Sequence, residues 1–244
     1  MLSVLRHDVF RLLSQLEGDG TTGNILTKNN KSFPLSTLCY LSSKHRYNIN
    51  MYSVVVQAGG KSSRMGLDKS LLPLHGKPMI QIVVEKVAAL GDDLIITRND
   101  PLCYENRLAR IVSDEFKNVG ALAGIHAGIN AAKNDLVVVV AVDMPFVSVD
   151  LFQYMKSRIS PYVDVVIPVS EKGFEPFHAI YRKTSCVKAI ENAIHEHKSR
   201  IISWFDDVNV LKIDKEEIDH FDPSGLAFYN VNTPEDLLFA EQVL

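Results

Sequence analysis

The chain has 244 residues, 46% of them hydrophobic and 23% charged. That composition suits a globular domain with a real core and excludes a wholly disordered chain. The formal charge of −3 gives no electrostatic case for nucleic acid or an anionic membrane as partner. Cys39, Cys103 and Cys186 are widely spaced and form no CxxC pair, so neither a disulfide framework nor a zinc knuckle is expected, and a reducing cytoplasm fits best.

Residues 2–16 could form one amphipathic helix, with Leu5, Val9, Leu12, Leu13 and Leu16 on one side. Arg6, His7, Asp8 and Arg11 interrupt the apolar stretch that a signal peptide needs. Residues 17–32 hold Gly18, Gly20, Gly23 and three asparagines, a composition of loop or disorder. Residues 1–50 therefore read as an N-terminal extension, either an appended helix or small module or a stretch upstream of the true start at Met51. Residues 51–244 read as the working domain.

From Met51 strands alternate with helices. Residues 53–56 form a short β-branched strand that runs into a Gly-rich loop over 58–66. A helix over 78–90 follows, with Pro78 at its first position and Gly91 at its C′ position. Strands are expected at Asp93–Thr97 and 109–113, then a small-residue helix over 122–133. The longest apolar run, 136–142, is too short to cross a bilayer and reads as a central parallel strand covered on both faces. A helix over 149–159, strands over 163–169 and 177–181, a helix over 184–197 and a strand over 208–213 complete the series. The last helix opens at Thr233, with Pro234 first and Glu235 and Asp236 early in it. This alternation predicts an α/β fold: a three-layer, Rossmann-like domain with a mainly parallel central sheet.

Ligands of such sheets bind at the carboxyl ends of the strands. The first strand delivers Gln57, Ala58, Gly59, Gly60 and Lys61, then Arg64, Asp68 and Lys69. Paired glycines let backbone N–H groups approach a phosphate, and the cations neutralise a triphosphate before pyrophosphate leaves. The loop is neither GxGxxG nor GxxxxGK[ST], which disfavours a dinucleotide fold and a P-loop. Asp143 directly follows the buried strand and suits Mg²⁺, which is commonly held by one or two carboxylates with phosphate oxygens and water. Asp114 follows another strand as a second acid near the metal or base; a solvated loop acid beside Glu115 is nearly as good a reading of it. Asn230 and Asn232, at alternate positions, would share one face of an extended strand. The histidines do not cluster, and no serine sits in G-x-S-x-G.

Taken together these segments resemble the molybdenum cofactor guanylyltransferase family. The stretches that carry the resemblance are Gln57-Ala-Gly-Gly-Lys-Ser-Ser-Arg-Met-Gly, Asp68-Lys-Ser-Leu-Leu and Gly76-Lys-Pro. Further on come Gly120-Ala-Leu-Ala-Gly-Ile-His-Ala-Gly, Val142-Asp-Met-Pro-Phe, Glu175-Pro-Phe-His-Ala-Ile-Tyr-Arg and Asn230-Val-Asn-Thr-Pro-Glu-Asp. They run in order across residues 51–244. The resemblance implies Mg²⁺-dependent transfer of GMP from GTP to the terminal phosphate of molybdopterin, and transient contact with other cofactor-biosynthesis proteins or target molybdoenzymes. By position it implies that Gln57, Ala58, Gly59 and Gly60 bind the nucleotide and that Arg64 helps cradle the triphosphate. It makes Lys69 the nucleotide-binding lysine, Asp114 the nucleotide-site acid and Asp143 the metal ligand, with Arg64, Lys69 and Asp143 the catalytic set. Asn230 and Asn232 would line the acceptor side. Two positions depart from the family pattern: Gln57 stands where many members have leucine, and Thr97 where some have an asparagine near the nucleoside. Cytidylyltransferases of the same cofactor and nucleotidyltransferases for other phosphate-bearing acceptors remain alternatives, as does a binding module that senses nucleotide without turnover. The cytidylyl relatives tend to read Ala-Ala-Gly where this chain has Ala58-Gly59-Gly60, which favours GTP.

Overall fold

In the computed structural model the chain divides into two compact units, Met1–Asn48 and Ile49–Leu244. The structure describes residues 24–26, 32–34, 52–59, 68–99, 109–117, 119–198 and 200–244. In the first unit β1 (Asn24–Leu26) pairs antiparallel with β2 (Ser32–Pro34), Ile25 opposite Phe33. The polar stretch over 17–32 is therefore not all loop, since Asn24–Leu26 pairs with Ser32–Pro34. The helix expected over 2–16 lies outside the described residues, as do Gly60, Lys61 and Arg64.

The second unit is built on one sheet. Its strands are β3 (Tyr52–Gln57), β6 (Asp93–Thr97), β7 (Ala109–Val112), β8 (Leu136–Ala141), β9 (Val165–Ser170), β10 (Gly173–Phe174), β11 (His178–Arg182) and β12 (Val210–Ile213). Their order is β10-β9-β11-β8-β3-β6-β7, with β12 on β9. β7, β6, β3 and β8 run parallel. β11 runs antiparallel between β8 and β9, and β12 is parallel to β9. The Val-rich runs of β3 and β8 are buried on both faces, as a sheet covered by two helical layers requires.

The alternation of side chains along each strand divides the core in two. Val54, Val56, Val138 and Val140 pack with α1 (Met79–Val87) and α3 (Val149–Arg158) on one face. Val55, Val137 and Val139 pack with α2 (Ala121–Ala131) and α4 (Lys183–His195) on the other. The small residues of α2 are there for close approach. A Cβ on Gly128 would lie 2.4 Å from Val55 Cγ1, and one on Gly124 would lie 2.6 Å from Gln57 Nε2.

Several boundaries differ from expectation for local reasons. Pro78 caps α1 rather than opening it, because it ends the hairpin of β4 (Pro73–Leu74) and β5 (Lys77–Pro78). Gly91 is extended at φ −161°, not a left-handed cap. Its glycine is needed because a Cβ would lie 2.1 Å from Tyr52 O. The sequence pattern gave no sign of α5 (Lys215–Phe221), which Asp214 and Glu217 open with a capping box. Thr233 and Asp236 form the same device at α6 (Pro234–Val243), as expected. Among the described residues no helix is long and apolar enough to cross a membrane.

From β3 the chain moves through α1 to β6 and β7 on one side, then returns through α2 to β8 on the other. The crossovers part between β3 and β8, which opens a crevice at their carboxyl ends. Because the core strand β3 begins at Tyr52, a chain started at Met51 is expected to fold and to keep its thermal midpoint and activity. Aggregation or inactivity of that shortened chain would show that residues 1–50 belong to the working unit.

Candidate active site

A cavity of about 230 Å³ occupies this crevice. Gln57, Ala58 and Gly59 come to it from the end of β3, and Ala141, Val142 and Asp143 from the end of β8. Asp68, Lys69 and Ser70 form one wall, and Ala121, Phe177 and Asn230 complete the lining. The β3–β8 ladder continues one step past the strands through Val142 N–H to Gln57 O (2.9 Å). Asp143 is thus set one residue beyond a rigid pairing.

Two distant segments meet at Asp143. Its carbonyl accepts a hydrogen bond from Val231 N–H (2.8 Å), and Val231 is fully buried. That bond fixes the stretch between Asn230 and Asn232. Lys69 Nζ then donates to Asn232 Oδ1 (2.6 Å) and lies 3.5 Å from Asp143 Oδ2. Burial pushes the Asp143 carboxyl above its usual range, and the Lys69 charge only partly opposes the rise. The site holds an acid whose surroundings disfavour its charged form, which a cation would reverse.

Lys69 is itself held from behind. It opens a short 3₁₀ turn, Lys69–Leu71, whose cap Asp68 accepts from Ser70 N–H (3.0 Å) and Ser70 Oγ (2.6 Å). Arg98, 9% exposed, reaches Asp68 Oδ2 at 2.6 Å and donates to Ser70 Oγ at 3.0 Å. Burial pushes the Asp68 carboxyl up, but the bonds from Arg98 and Ser70 outweigh it and hold the group below its usual value. Motif and spacing do not single out Arg98. Its one signal in the sequence is position, directly after Thr97 at the carboxyl end of β6.

Of the expected site residues, Gln57, Ala58, Gly59, Lys69, Asp143 and Asn230 line one cavity, and Asn232 joins them through Lys69. Gly60 and Arg64 lie outside the described residues. Asp114 stands apart, following β7, three strand spacings from β8, or ~14 Å. There its N–H donates to Asn99 Oδ1 and its carboxylate accepts from Asn99 Nδ2, both at 2.9 Å. Asn230 and Asn232 sit in a segment without strand pairing, where the N–H of Val231 bonds to the Asp143 carbonyl instead. Asp143 is partly buried and has a partner in Lys69, neither of which its strand-end position in the sequence reveals. His178 is fully buried and stacked on Phe152 (4.2 Å between centroids). Burial pushes its imidazole down to about 3, so it packs rather than carries protons at neutral pH.

Among the described residues no three His, Cys, Asp or Glu side chains gather as a metal cage. A hard divalent ion that keeps water and ligand oxygens in its shell fits a single carboxylate such as Asp143; a closed zinc site does not.

The sequence pattern of the MobA-like NTP transferase domain matches residues 54–208. A probable molybdenum cofactor guanylyltransferase of Peptoclostridium acidaminophilum is 35% identical over 197 residues, 78% of this chain and 89% of that protein. A molybdenum cofactor guanylyltransferase of Desulfosudis oleivorans is 32% identical, over 78% of this chain and 94% of its own. The crystal structure of molybdopterin-guanine dinucleotide biosynthesis protein A from Archaeoglobus fulgidus superposes with a TM-score of 0.67 at 31% identity, covering 78% of this chain and 97% of that one.

The Arg98–Asp68 clamp is expected to contribute about 1–2 kcal/mol, well below the range for fully buried pairs, because Asp68 stays partly exposed. Arg98→Met should lower unfolding free energy by that amount at pH 7 in urea titrations. Asp68 has a depressed carboxyl, so the stability it adds is present above its unfolded value of 3.8 and is lost as pH falls through the folded value. The gap between wild type and variant should therefore shrink below pH 4; a constant gap would assign the effect to packing.

Proposed function

The chain belongs to the family of MobA-like NTP transferase domains, and from that premise we propose that it transfers GMP from GTP to the terminal phosphate of molybdopterin. The products are the guanine dinucleotide form of the cofactor and pyrophosphate. The observation that carries this reading is the convergence of Lys69, Asp143 and Asn232 at the mouth of the β3–β8 crevice. Three separate motifs meet there at one charged point. The relatives named guanylyltransferases cover nearly all of their own lengths in this chain.

In this reading the nucleotide lies along the end of β3, with backbone groups of Ala58 and Gly59 against it and its phosphates toward Lys69. An oxygen of the acceptor phosphate attacks the α-phosphorus in line. The bond from that phosphorus to the bridging oxygen breaks, and pyrophosphate leaves with the electron pair. No protein nucleophile is needed; position and charge supply the rate. Lys69 offsets phosphate charge, and Asn232 holds its ammonium in place. Asp143 would hold Mg²⁺, which supplies charge neutralisation on the phosphate oxygens when bound. Asn230 and Asn232 face the acceptor. Arg64 and Gly60 extend the phosphate contacts from the loop, and Asp114 marks the outer, nucleoside end of the site. The buried free thiol of Cys186 accords with work in a reducing cytoplasm, and the partners are GTP, the pterin cofactor and, transiently, the proteins that supply or receive it.

The direct test incubates the protein with each NTP, Mg²⁺ and molybdopterin and weighs the product. GTP should yield the guanine dinucleotide and pyrophosphate, and absence of any dinucleotide would overturn the reading. Asp143→Asn should lower turnover ~10²-fold or more, since electrostatic stabilisation of this kind is worth several kcal/mol. Its folding should not suffer. A raised carboxyl pKa favours the fold below the unfolded value of 3.8, and that contribution is lost as pH rises through the folded value. At pH 7 the ionised group is a net cost, so metal-free Asp143→Asn should melt at or above wild type, with the difference closing toward pH 4. Near wild-type turnover with unchanged Mg²⁺ dependence would remove Asp143 from the metal site.

Base choice is expected to favour GTP over CTP. A Cβ added at Gly59 would find its nearest protein atoms 3.7 and 3.8 Å away, so the fold tolerates alanine there. The methyl would occupy ligand space instead. Gly59→Ala should melt like wild type and reduce the GTP-to-CTP preference by about tenfold in competition assays; a wild-type preference for CTP would overturn the assignment.

A further inference from the structure

Gln57 is the last residue of β3 and only 7% exposed, yet it lines the cavity. Its carboxamide is half satisfied. Nε2 donates to Ala121 O, the first residue of α2, at 3.2 Å. That carbonyl can only accept, which decides which way the amide points. Oε1 is then left buried with no hydrogen-bond partner. Space for the side chain is made by Gly124, where any Cβ would lie 2.6 Å from Nε2. A glycine is thus kept in the middle of a helix to admit a polar group whose acceptor nothing in the protein satisfies.

A second such oxygen lies beside it. Thr97 is the register partner of Gln57 on β6, one strand spacing away. It is 1% exposed, and its Oγ1 also has no partner. Both side chains lie on the α2 face of the sheet, since Thr97 Cγ2 and Gln57 Nε2 are the neighbours of Gly128 and Gly124. Buried oxygens without partners are costly and persist where a ligand completes them.

Resting on the reading that the nucleotide occupies this cavity, we propose that Gln57 determines base specificity, its Oε1 accepting a hydrogen bond from the N1–H of guanine, with the Thr97 hydroxyl beside it. Guanine presents two neighbouring donors on that edge. Cytosine and adenine present one amino donor beside an acceptor nitrogen, and uracil one imino donor between two carbonyls. Gln57 Oε1 can only accept, so it matches the N1–H of guanine, whereas the Thr97 hydroxyl can donate or accept and does not itself choose the base. Facing cytosine or adenine, Oε1 would meet a ring nitrogen and stay unpaired, the arrangement that discriminates most strongly between ligands.

Gln57→Leu tests this, because leucine keeps the volume and removes the acceptor. Its KM for GTP should rise about tenfold with kcat within a few-fold of wild type, and the GTP-to-CTP preference should fall by a similar factor. The variant should melt close to wild type, since the loss of a buried unpaired oxygen offsets the loss of the bond from Nε2 to Ala121 O. An unchanged GTP KM and base preference would overturn the proposal. So would an equal loss with GTP and CTP, which would mean that Gln57 only shapes the cavity. Parallel assays with ITP and 2′-deoxy-GTP identify the donor. The Gln57 effect should persist with ITP, which keeps N1–H; its loss with ITP would place Oε1 against the 2-amino group, an amino donor like those of cytosine and adenine, and overturn the proposal. Loss of the effect with 2′-deoxy-GTP would move the contact to the ribose and overturn it. A wild-type protein that forms no dinucleotide with any NTP fails earlier and separately, at the transferase reading itself.

Discussion

Six parallel residue pairs join β3 to β8, from Tyr52 opposite Leu136 to Gln57 opposite Ala141, and the site exists because this pairing ends where it does. Both strands are apolar and buried on two faces, so their register cannot slip without exposing valines to the wrong layer. The crossovers leave them in opposite directions. The residues just beyond the last pair therefore emerge side by side into the gap. On β3 these are Ala58 and Gly59; on β8 they are Val142 and Asp143. A rigid ladder turns two loops distant in sequence into one wall with little freedom of placement.

On this wall the charged groups form a chain of support. Arg98 holds Asp68, Asp68 caps the turn that begins with Lys69, and Lys69 reaches both Asp143 and Asn232. Val231 closes the circuit by bonding to the Asp143 carbonyl. The two acids at the ends of this chain are treated oppositely. Asp68 has enough donors to stay ionised well into acid, whereas Asp143 is left short by burial. The number of hydrogen-bond donors around each carboxylate, set against its burial, makes this difference.

The two helical layers contribute unequally. The α1 and α3 face is conventional aliphatic packing, with His178 stacked on Phe152 as one of its plates. The α2 face is cut close by Gly124 and Gly128, which lets the first turn of α2 bring the Ala121 carbonyl to the Gln57 amide. Any larger residue at 124 would displace that amide.

Much of this was legible in the amino-acid order. The continuous run at 136–142 and the Thr233-Pro234-Glu235-Asp236 cap have local causes, and the strands and the last helix stand close to where those causes put them. Asp143 was legible as a strand-end acid, but its burial and its lysine were not. The reasons for Gly91 and Gly124, the role of Arg98, the separation of Asp114 from the cavity and the unpaired oxygens of Gln57 and Thr97 were likewise out of reach. Each depends on the distance between atoms many residues apart, such as Gly91 to Tyr52 or Arg98 to Asp68. Periodicity, capping and turn chemistry act over one or two turns of chain, so the sequence alone determined the elements and the ends at which chemistry could occur. Which side chains share a cavity, and which of their hydrogen bonds are left unmade, was decided only by the register of the sheet and the closeness of the helices packed on it.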